Sequence, residues 1–259
     1  MTWQNPKKLV RVSALNEFLN TDLRNLEVLE FGAFASPTLD RNEANVSYAD
    51  RLSTEELRKS VNNEEKRSAI VDVDYVVSAD FSERPDKKFD LIIANHVIEH
   101  IPNVICWLNN IAVALKPGGS LFVAVPDKRF TFDIGRKETL AREIVDSYVI
   151  NREQPSPAII LDAAFHRQNI KVGGDVWFGK VQMASPMQQD LDVDKFLKDS
   201  MARINSGEYI DAHCNVFTEL SFFAVFREIE NMGLNRLTLQ SVKGVQKPFN
   251  EFHALFRKV

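Results

Sequence analysis

The pattern of apolar and polar positions is clearest between residues 89 and 133. Leu91-Ile92-Ile93-Ala94 is a short apolar run without polar alternation, which is typical of a strand buried on both faces. A helix is expected after this run, ending at Lys116-Pro117-Gly118-Gly119. Residues 121–125 then form a second apolar run. That helix is predicted from apolar residues at helical spacing: Val104, Ile105, Leu108, Ile111, Ala112 and Leu115.

A strand, a helix and a strand in this order predict a right-handed parallel crossover. Both strands then end at the same edge of one sheet, where open α/β sheets bind their ligands. Asn95 and His96 follow the first strand, and Pro126 and Asp127 end the second. The sequence therefore predicts a ligand site at this edge, with Asn95 as one of its residues.

The flanking segments extend this sheet in both directions. Residues 26–31, 46–50 and 71–77 are predicted strand regions, and apolar spacing over residues 9–19 predicts a helix before them. Near the end of the chain, Thr218 is a candidate N-cap of a helix that Gly233 stops. Residues 237–239 and 252–256 follow as a pair of strands. The pattern predicts a doubly wound, mostly parallel α/β sheet.

Residues 134–212 interrupt this pattern for about eighty residues, which is far longer than ordinary connections in α/β sheets. We predict a helical insertion, with helices over residues 137–149 and 193–204, that acts as a substrate lid. The core then comprises about residues 25–133 and 213–259, and residues 1–259 form a single domain.

Composition and charge exclude several classes of protein. At 259 residues and 44% hydrophobic, the chain can bury one full core. The net charge of −4 weighs against nucleic acid as a partner. No apolar run is long enough to cross a bilayer or to follow the first residues as a signal segment, so we expect a cytoplasmic protein without a membrane span. Cys106 and Cys214 lack CxxC spacing, which predicts reduced core thiols.

Asp50 is the best cofactor-binding candidate on its position alone. Ser53 and Glu56 form a capping-box pattern for a helix, which places Asp50 at the end of the preceding strand. A carboxylate about twenty residues after the end of a first strand can accept hydrogen bonds from both ribose hydroxyls of a nucleotide. The alternative is a solvated aspartate in a turn.

Two histidines and a carboxylate lie close together in sequence at the predicted edge. His96, Glu99 and His100 fall within five residues, and a helical turn over residues 97–101 would bring all three to one face. They could form a catalytic or metal site. The alternative is that Glu99 and His100 hydrogen-bond the loop and line the pocket.

The run FDLIIANHVIEH, followed by a helix, LKPGG and a strand, resembles the second half of class I S-adenosylmethionine-dependent methyltransferases. This resemblance implies a seven-stranded Rossmann-like sheet, with one antiparallel strand from the closing hairpin, and S-adenosyl-L-methionine as cofactor. LEFGAFASP, NHVIEHIP and VPDKRFTFD also resemble methyltransferases of bacterial surface-polysaccharide pathways. That implies a small-molecule acceptor, a sugar or nucleotide-sugar, methylated on oxygen or nitrogen.

The same resemblance implies roles for residues after the other strands. Glu30, Gly32 and Ala33 would contact the cofactor in the turn after the first strand. Asp80 would accept from the adenine amino group, or serve as an ordinary turn residue, and Phe81 would lie near the ring. Because the turn lacks the further glycines of a pyrophosphate loop, an NAD-dependent oxidoreductase is the lesser alternative. A degenerate, non-catalytic member that binds a cofactor or a partner is the other.

A second resemblance concerns metal-using members. Small-RNA 2′-O-methyltransferases and some ubiquinone-pathway O-methyltransferases have ExxEH at this place, and here His96 replaces the first glutamate. His213 lies five residues before Thr218, as in the RNA enzymes. The resemblance implies a divalent metal bound by Glu99, His100 and His213, and the imidazoles favour a transition ion over magnesium. His96, His100 and His213 are also the candidates for acid–base catalysis.

Overall fold

A seven-stranded sheet organises the computed structural model, which describes residues 6–170, 173–181 and 192–259. The strand order is β3-β2-β1-β4-β5-β7-β6. The bounds of the strands are β1 Glu27–Phe31, β2 Asn45–Asp50, β3 Tyr75–Val76, β4 Phe89–Asn95, β5 Leu115–Pro126, β6 Leu237–Lys243 and β7 Glu251–Lys258.

The strands from β3 to β5 pair in parallel, whereas β7 pairs antiparallel with both β5 and β6. This confirms the predicted seven-stranded, mostly parallel sheet with one antiparallel strand from the closing hairpin. The parallel strands share one polarity, so the ends of β1, β2 and β4 meet at one edge.

Helices cover both faces of the sheet. α1 packs on one face against residues of β4, β5 and β7, and α4, α5 and α9 pack on the other. The fold is therefore doubly wound, as predicted. The helix bounds are α1 Pro6–Leu19, α2 Thr54–Lys59, α3 Glu64–Ser68, α4 Val104–Ala114, α5 Ala141–Val149, α6 Pro157–Phe165, α7 Gly173–Trp177, α8 Val193–Asn205 and α9 Glu219–Asn231.

The structure of the Lys116-Pro117-Gly118-Gly119 segment differs from the predicted break at the end of the helix. α4 ends at Ala114, and the segment already belongs to β5. The pairing with β4 shifts register here, so the segment forms an irregular start of the strand. A Cβ on Gly119 would lie 3.0 to 3.1 Å from three carbonyl oxygens. Glycine is thus needed because two backbones approach closely.

The third strand is also shorter than predicted. β3 contains only Tyr75 and Val76, at the sheet edge. Two local predictions are confirmed: Ser53 and Glu56 form the capping box of α2, and Thr218 caps α9. Cys106 and Cys214 are free thiols, as expected.

The insertion over residues 134–212 contributes helices α5 to α8 to the described structure and no strand. Residues 171–172 and 182–191 of this segment lie outside the described residues. Helices α5 and α8 confirm the two predicted in this segment, although α5 begins at Ala141 instead of Lys137. None of the helices within the described ranges is long and apolar enough to cross a membrane.

Candidate active site

Two cavities open at the edge where β1, β2 and β4 end. The first, here called the Asp50 cavity, has a volume of about 520 Å³ and is lined by Asp50, His100 and residues of the insertion. The second, the Asn95 cavity, has a volume of about 640 Å³ and is lined by Asn95, the turn after β1 and helix α1. Gly32 and His96 line both, so an elongated ligand can extend from one cavity to the other past these two residues.

Asp50 is the last residue of β2 and lies in the wall of the Asp50 cavity, as predicted. Its Oδ1 accepts one hydrogen bond, from the backbone N–H of Leu52. Burial raises the pKa of the Asp50 carboxyl, partly offset by backbone hydrogen bonds from Leu52 and Arg51. The carboxylate therefore retains acceptor capacity for a ligand.

Gly32 forms the turn between the two cavities with a φ of +72°. A Cβ at this position would lie 3.2 Å from Cγ2 of Val97, which packs on the core. The single glycine that the sequence supplies in this turn is thus required both by backbone conformation and by space.

A substitution to alanine tests this requirement. We expect Gly32→Ala to lower the free energy of unfolding by more than the roughly 1 to 2 kcal/mol cost of left-handed backbone, because the contact with Val97 adds to it. Gly233→Ala is the matched control: φ is +69° and no atom lies within 4 Å of the added Cβ. Equal losses in urea unfolding would show that the contact with Val97 costs nothing.

Glu30 anchors the turn after β1. Its carboxylate is fully buried and accepts from the backbone N–H groups of Thr38 and Leu39 and from the side chain of Asn95. Burial raises the pKa of the Glu30 carboxyl to about 7, although these backbone N–H groups oppose the rise. Glu30 thus holds the turn in place and also lines the Asn95 cavity. Ala33 is largely buried but lines the Asn95 cavity.

The predictions after β3 are only partly supported by the geometry. Asp80 lines a third cavity of about 280 Å³, here called the Asp80 cavity. Its Oδ1 accepts from the hydroxyl groups of Ser78 and Ser82 and from the backbone N–H of Ser82. Phe81 is corrected: its ring is fully buried and packs 5.7 Å from that of Phe31, so it cannot face a ligand.

The histidine and carboxylate residues converge as the helical-turn argument predicted. A 3-10 turn, Ile98–His100, follows β4, and Oε1 of Glu99 lies 3.4 Å from Nδ1 of His96 and 3.9 Å from Nε2 of His100. The imidazole centroids of His100 and His213 are 4.7 Å apart. One potential ligand atom each of Glu99, His100 and His213 lies within 4.8 Å of the others.

Glu99 is the chemically unusual member of this group. It is 1% exposed, and neither of its carboxylate oxygens has a hydrogen-bond partner among the described residues. Buried polar atoms are nearly always satisfied. His96 beside it has a φ of +54°, a conformation that a residue other than glycine adopts rarely. An unsatisfied carboxylate and a strained backbone at one place indicate a functional site.

Each of the three histidines also faces a second carboxylate on its outer side. Nε2 of His96 lies 2.7 Å from Oε2 of Glu251, and Nδ1 of His100 lies 2.8 Å from Oδ1 of Asp211. Nδ1 of His213 lies 2.5 Å from Oδ2 of Asp133. These outer carboxylates fix the orientation of the rings and leave the other nitrogen of each available toward Glu99.

The electrostatics of the group follow from this alternation of imidazoles and carboxylates. Burial raises the pKa of Glu99, but the imidazoles of His96, His100 and His213 outweigh it and lower the pKa overall. Burial lowers the pKa of His96, and its contacts with Glu251 and Glu99 outweigh that and raise it. Glu99 therefore stays an anion in a buried site.

Sequence reasoning missed the outer residues of this group. Glu251 lies on β7, 1% exposed, and Arg11 of α1 donates to both its oxygens at 2.7 and 2.8 Å. Glu251 is 155 positions from His96, so no local pattern could have connected them. Asp211 and Tyr209 come from the end of the insertion and line the Asp50 cavity.

A further cavity, of about 660 Å³, lies between α5, α6 and residues 214–216. It contains none of the predicted site residues. The chemistry therefore concentrates at the sheet edge, in the cavities that Gly32 and His96 separate.

Comparison with known proteins identifies the family of the chain. A family model described as a methyltransferase domain matches residues 8–230. A ubiquinone biosynthesis O-methyltransferase of Paramagnetospirillum magneticum is 34% identical over 86 residues, 33% of this chain and 29% of that protein. The chain thus matches less than a third of the length of this curated relative.

Two solved structures are similar to this chain at low sequence identity. The CurJ carbon methyltransferase is 15% identical with a TM-score of 0.45, and the match covers 97% of this chain and 54% of that one. An S-adenosylmethionine-dependent methyltransferase from Clostridium acetobutylicum is 10% identical with a TM-score of 0.49, over 98% of this chain and 92% of that one.

Proposed function

Because the chain belongs to the methyltransferase-domain family, we propose that it transfers the methyl group of S-adenosyl-L-methionine to a hydroxyl oxygen of a small acceptor. The observation that carries the choice of site is the buried, unsatisfied carboxylate of Glu99 among three histidines beside the cofactor-sized cavities. The cofactor supplies an activated methyl group on a sulfonium centre. The chain must therefore hold donor and acceptor in line and remove the acceptor proton.

The two cavities suggest how the cofactor lies. We place the nucleoside in the Asp50 cavity, where the carboxylate of Asp50 accepts from the ribose hydroxyls. The amino-acid part extends past Gly32 into the Asn95 cavity, which includes Asn95, Lys7 and Lys66. This arrangement brings the sulfonium close to His96 and the transferable methyl toward the neighbouring histidines.

Removal of the acceptor proton falls to the histidine group. His100 and His213 each have one ring nitrogen oriented by an outer aspartate, which leaves the other as a base. His96 and His100 both line the Asp50 cavity. The anionic Glu99 stabilises the positive charge that develops on whichever imidazole takes the proton.

The same donors fit a divalent metal ion. Two imidazole nitrogens and one carboxylate are a common ligand set for transition ions. The carboxylate oxygens of Glu99 have lone pairs that no hydrogen bond uses, so they can bind such an ion. Asp211 and Asp133 are placed as the outer carboxylates that metal-binding histidines usually have. Such an ion supplies Lewis acidity at this point.

The choice of acceptor rests on similarity to other methyltransferases. The match to an O-methyltransferase favours oxygen, and the resemblance to polysaccharide-pathway methyltransferases favours a sugar or nucleotide-sugar hydroxyl. The insertion is proposed as the lid over the acceptor, because its residue Asp211 contacts His100 of the histidine group and its residues Glu153, Gln154 and Tyr209 line the adjoining Asp50 cavity.

The cofactor assignment predicts a large effect of Asp50→Ala. Loss of charge-assisted hydrogen bonds to the ribose should weaken the binding of S-adenosylhomocysteine about 10- to 100-fold, measured by calorimetry. Asp72→Ala is the control, since Asp72 is an exposed aspartate paired with Arg58, and it should change nothing. Parent-like affinity of Asp50→Ala would remove Asp50 from the site.

Turnover itself is tested with methyl-labelled S-adenosylmethionine and a panel of monosaccharides, nucleotide-sugars and small phenols. Label in one of these acceptors, with release of S-adenosylhomocysteine, is the expected result. Tight cofactor binding with no transfer to any acceptor would favour the non-catalytic alternative. Titration with NADH tests the oxidoreductase alternative, and we expect no change in nicotinamide fluorescence.

A further inference from the structure

The insertion carries a buried polar atom without a hydrogen-bond partner in the described structure. Gln154 lines the Asp50 cavity, and its Oε1 is buried with no hydrogen-bond partner among the residues that the structure describes. Buried polar atoms are nearly always satisfied, because an unpaired one has lost its hydrogen bonds to water. Its position in the wall of a ligand cavity suggests that a ligand donor satisfies it.

The position of Gln154 is fixed by the loop after α5. The backbone N–H of Arg152 donates to the carbonyl of Ser147, and Nε of Arg152 donates to the hydroxyl of the same residue. Pro155 is buried, and Ser156 caps α6. The side chain therefore projects from a fixed segment between two helices.

Neighbouring residues locate Gln154 at the end of the cavity nearest β3. The Asp50 and Asp80 cavities meet at Ala79, Ile101, Pro102 and Glu153, which line both. Gln154 directly follows Glu153. A nucleoside whose ribose is held by Asp50 can direct its base toward this junction, because Asp50 ends β2 and Ala79 lies in the loop after the neighbouring strand β3.

Asp80 alone cannot form hydrogen bonds to both the amino group and the ring nitrogens of adenine. Its Oδ1 already receives three hydrogen bonds from Ser78 and Ser82, and a carboxylate can only accept. Adenine presents an amino donor beside ring-nitrogen acceptors, and the carboxamide of glutamine matches that pair with one acceptor and one donor.

We propose that Gln154 of the insertion reads the adenine edge of the cofactor: Oε1 accepts from the 6-amino group, and Nε2 donates to the adjacent ring nitrogen. This inference rests on the proposed binding of S-adenosyl-L-methionine and deepens it. The insertion then contributes to cofactor selection as well as covering the acceptor.

The test compares S-adenosylhomocysteine with its 6-deamino analogue, which carries unsubstituted purine in place of adenine. By calorimetry, the parent protein should bind the adenine form about tenfold or more tightly. Gln154→Met keeps the length of the side chain but removes the amide, and should lose most of this preference. Gln154→Glu retains an acceptor for the 6-amino group but cannot donate to the ring nitrogen, so it should keep the preference while binding both ligands more weakly than the parent.

Asp50→Ala is the matched control, because it should weaken both ligands by the same factor and leave the preference unchanged. A parent protein without the preference, or a preference that survives in Gln154→Met, would overturn the role of Gln154. Survival in Gln154→Met together with loss in Asp80→Asn would assign the reading to Asp80 instead. Failure of the parent to bind S-adenosylhomocysteine at all would contradict the proposed function, a distinguishable result.

Discussion

Glu99→Gln should reduce the turnover of methyl transfer by about 100-fold or more, while the affinity for S-adenosylhomocysteine changes less than about threefold. The substitution keeps the shape of the side chain but removes the buried negative charge that lies 3.4 Å from His96 and 3.9 Å from His100. Loss of a positioned group that stabilises the charge developing in the reaction usually costs about two to three orders of magnitude in rate. The effect belongs to turnover because Glu99 contributes to neither cofactor cavity.

Asp127→Asn is the control for this experiment. Asp127 is a fully buried carboxylate at the same sheet edge, but its partner is Arg129 and no histidine. It should alter stability more than turnover. Steady-state assays use the acceptor identified in the panel, and parent-like turnover of Glu99→Gln, or an equal loss of cofactor affinity, would contradict the assignment.

Elemental analysis decides whether the site of Glu99, His100 and His213 binds a metal ion or acts through its histidines alone. If a metal is bound, untagged parent protein should contain a divalent ion that Glu99→Gln and His213→Ala lose, and chelation should abolish turnover until the ion is restored. If the histidines act without metal, turnover should be insensitive to chelators. Both outcomes are compatible with the loss of turnover in Glu99→Gln, so metal content is the deciding measurement.

Glu251→Ala should lower the free energy of unfolding by about 3 to 5 kcal/mol, because removal of one partner leaves a buried charge uncompensated. Arg11, 6% exposed, donates both of its hydrogen bonds to Glu251 from the opposite end of the chain. This pair joins α1 to β7 and holds His96 in place. Urea unfolding at pH 7 measures the loss.

Two controls define this effect. Lys59→Ala removes an exposed pair with Glu55 and should cost less than about 0.5 kcal/mol. The double variant Arg11→Met with Glu251→Leu replaces the buried pair by apolar side chains and should recover most of the loss. A Glu251→Ala protein as stable as its parent would show that the pair contributes nothing.

The pKa of Glu251 gives this difference a pH dependence. Burial alone would raise that pKa, but contacts with His253, His96 and Arg11 lower it well below the ordinary value of 4.5. A carboxyl with a depressed pKa in the folded state stabilises the fold above its unfolded pKa. The difference in the free energy of unfolding between parent and Glu251→Ala should therefore have its full value above pH 4.5 and decrease as the pH falls below 4.5.

Local patterns made most of the fold predictable. The crossover from β4 to β5, the capping box of Ser53 and Glu56, and the cap at Thr218 each depend on residues close in sequence. The convergence of His96, Glu99 and His100 followed from the same kind of spacing, since a helical turn brings positions three and four apart together.

Sequence reasoning could not assign the full role of residues whose partners are distant in the sequence. Glu30 follows the pattern of a cofactor residue, yet its oxygens are occupied by the loop that it anchors. Glu251 becomes recognisable only when β7 places it against Arg11 and His96. Gln154 belongs to the insertion, where no periodic pattern relates it to the sheet edge.

A crystal structure of the complex with S-adenosylhomocysteine tests the central claim most directly. We expect the ribose hydroxyls within hydrogen-bond distance of the Asp50 carboxylate, the amino-acid part in the Asn95 cavity, and the sulfur on the side of His96 that faces Glu99 and His213. A ligand bound away from the edge formed by β1, β2 and β4, or one whose sulfur points away from this histidine group, would contradict the account.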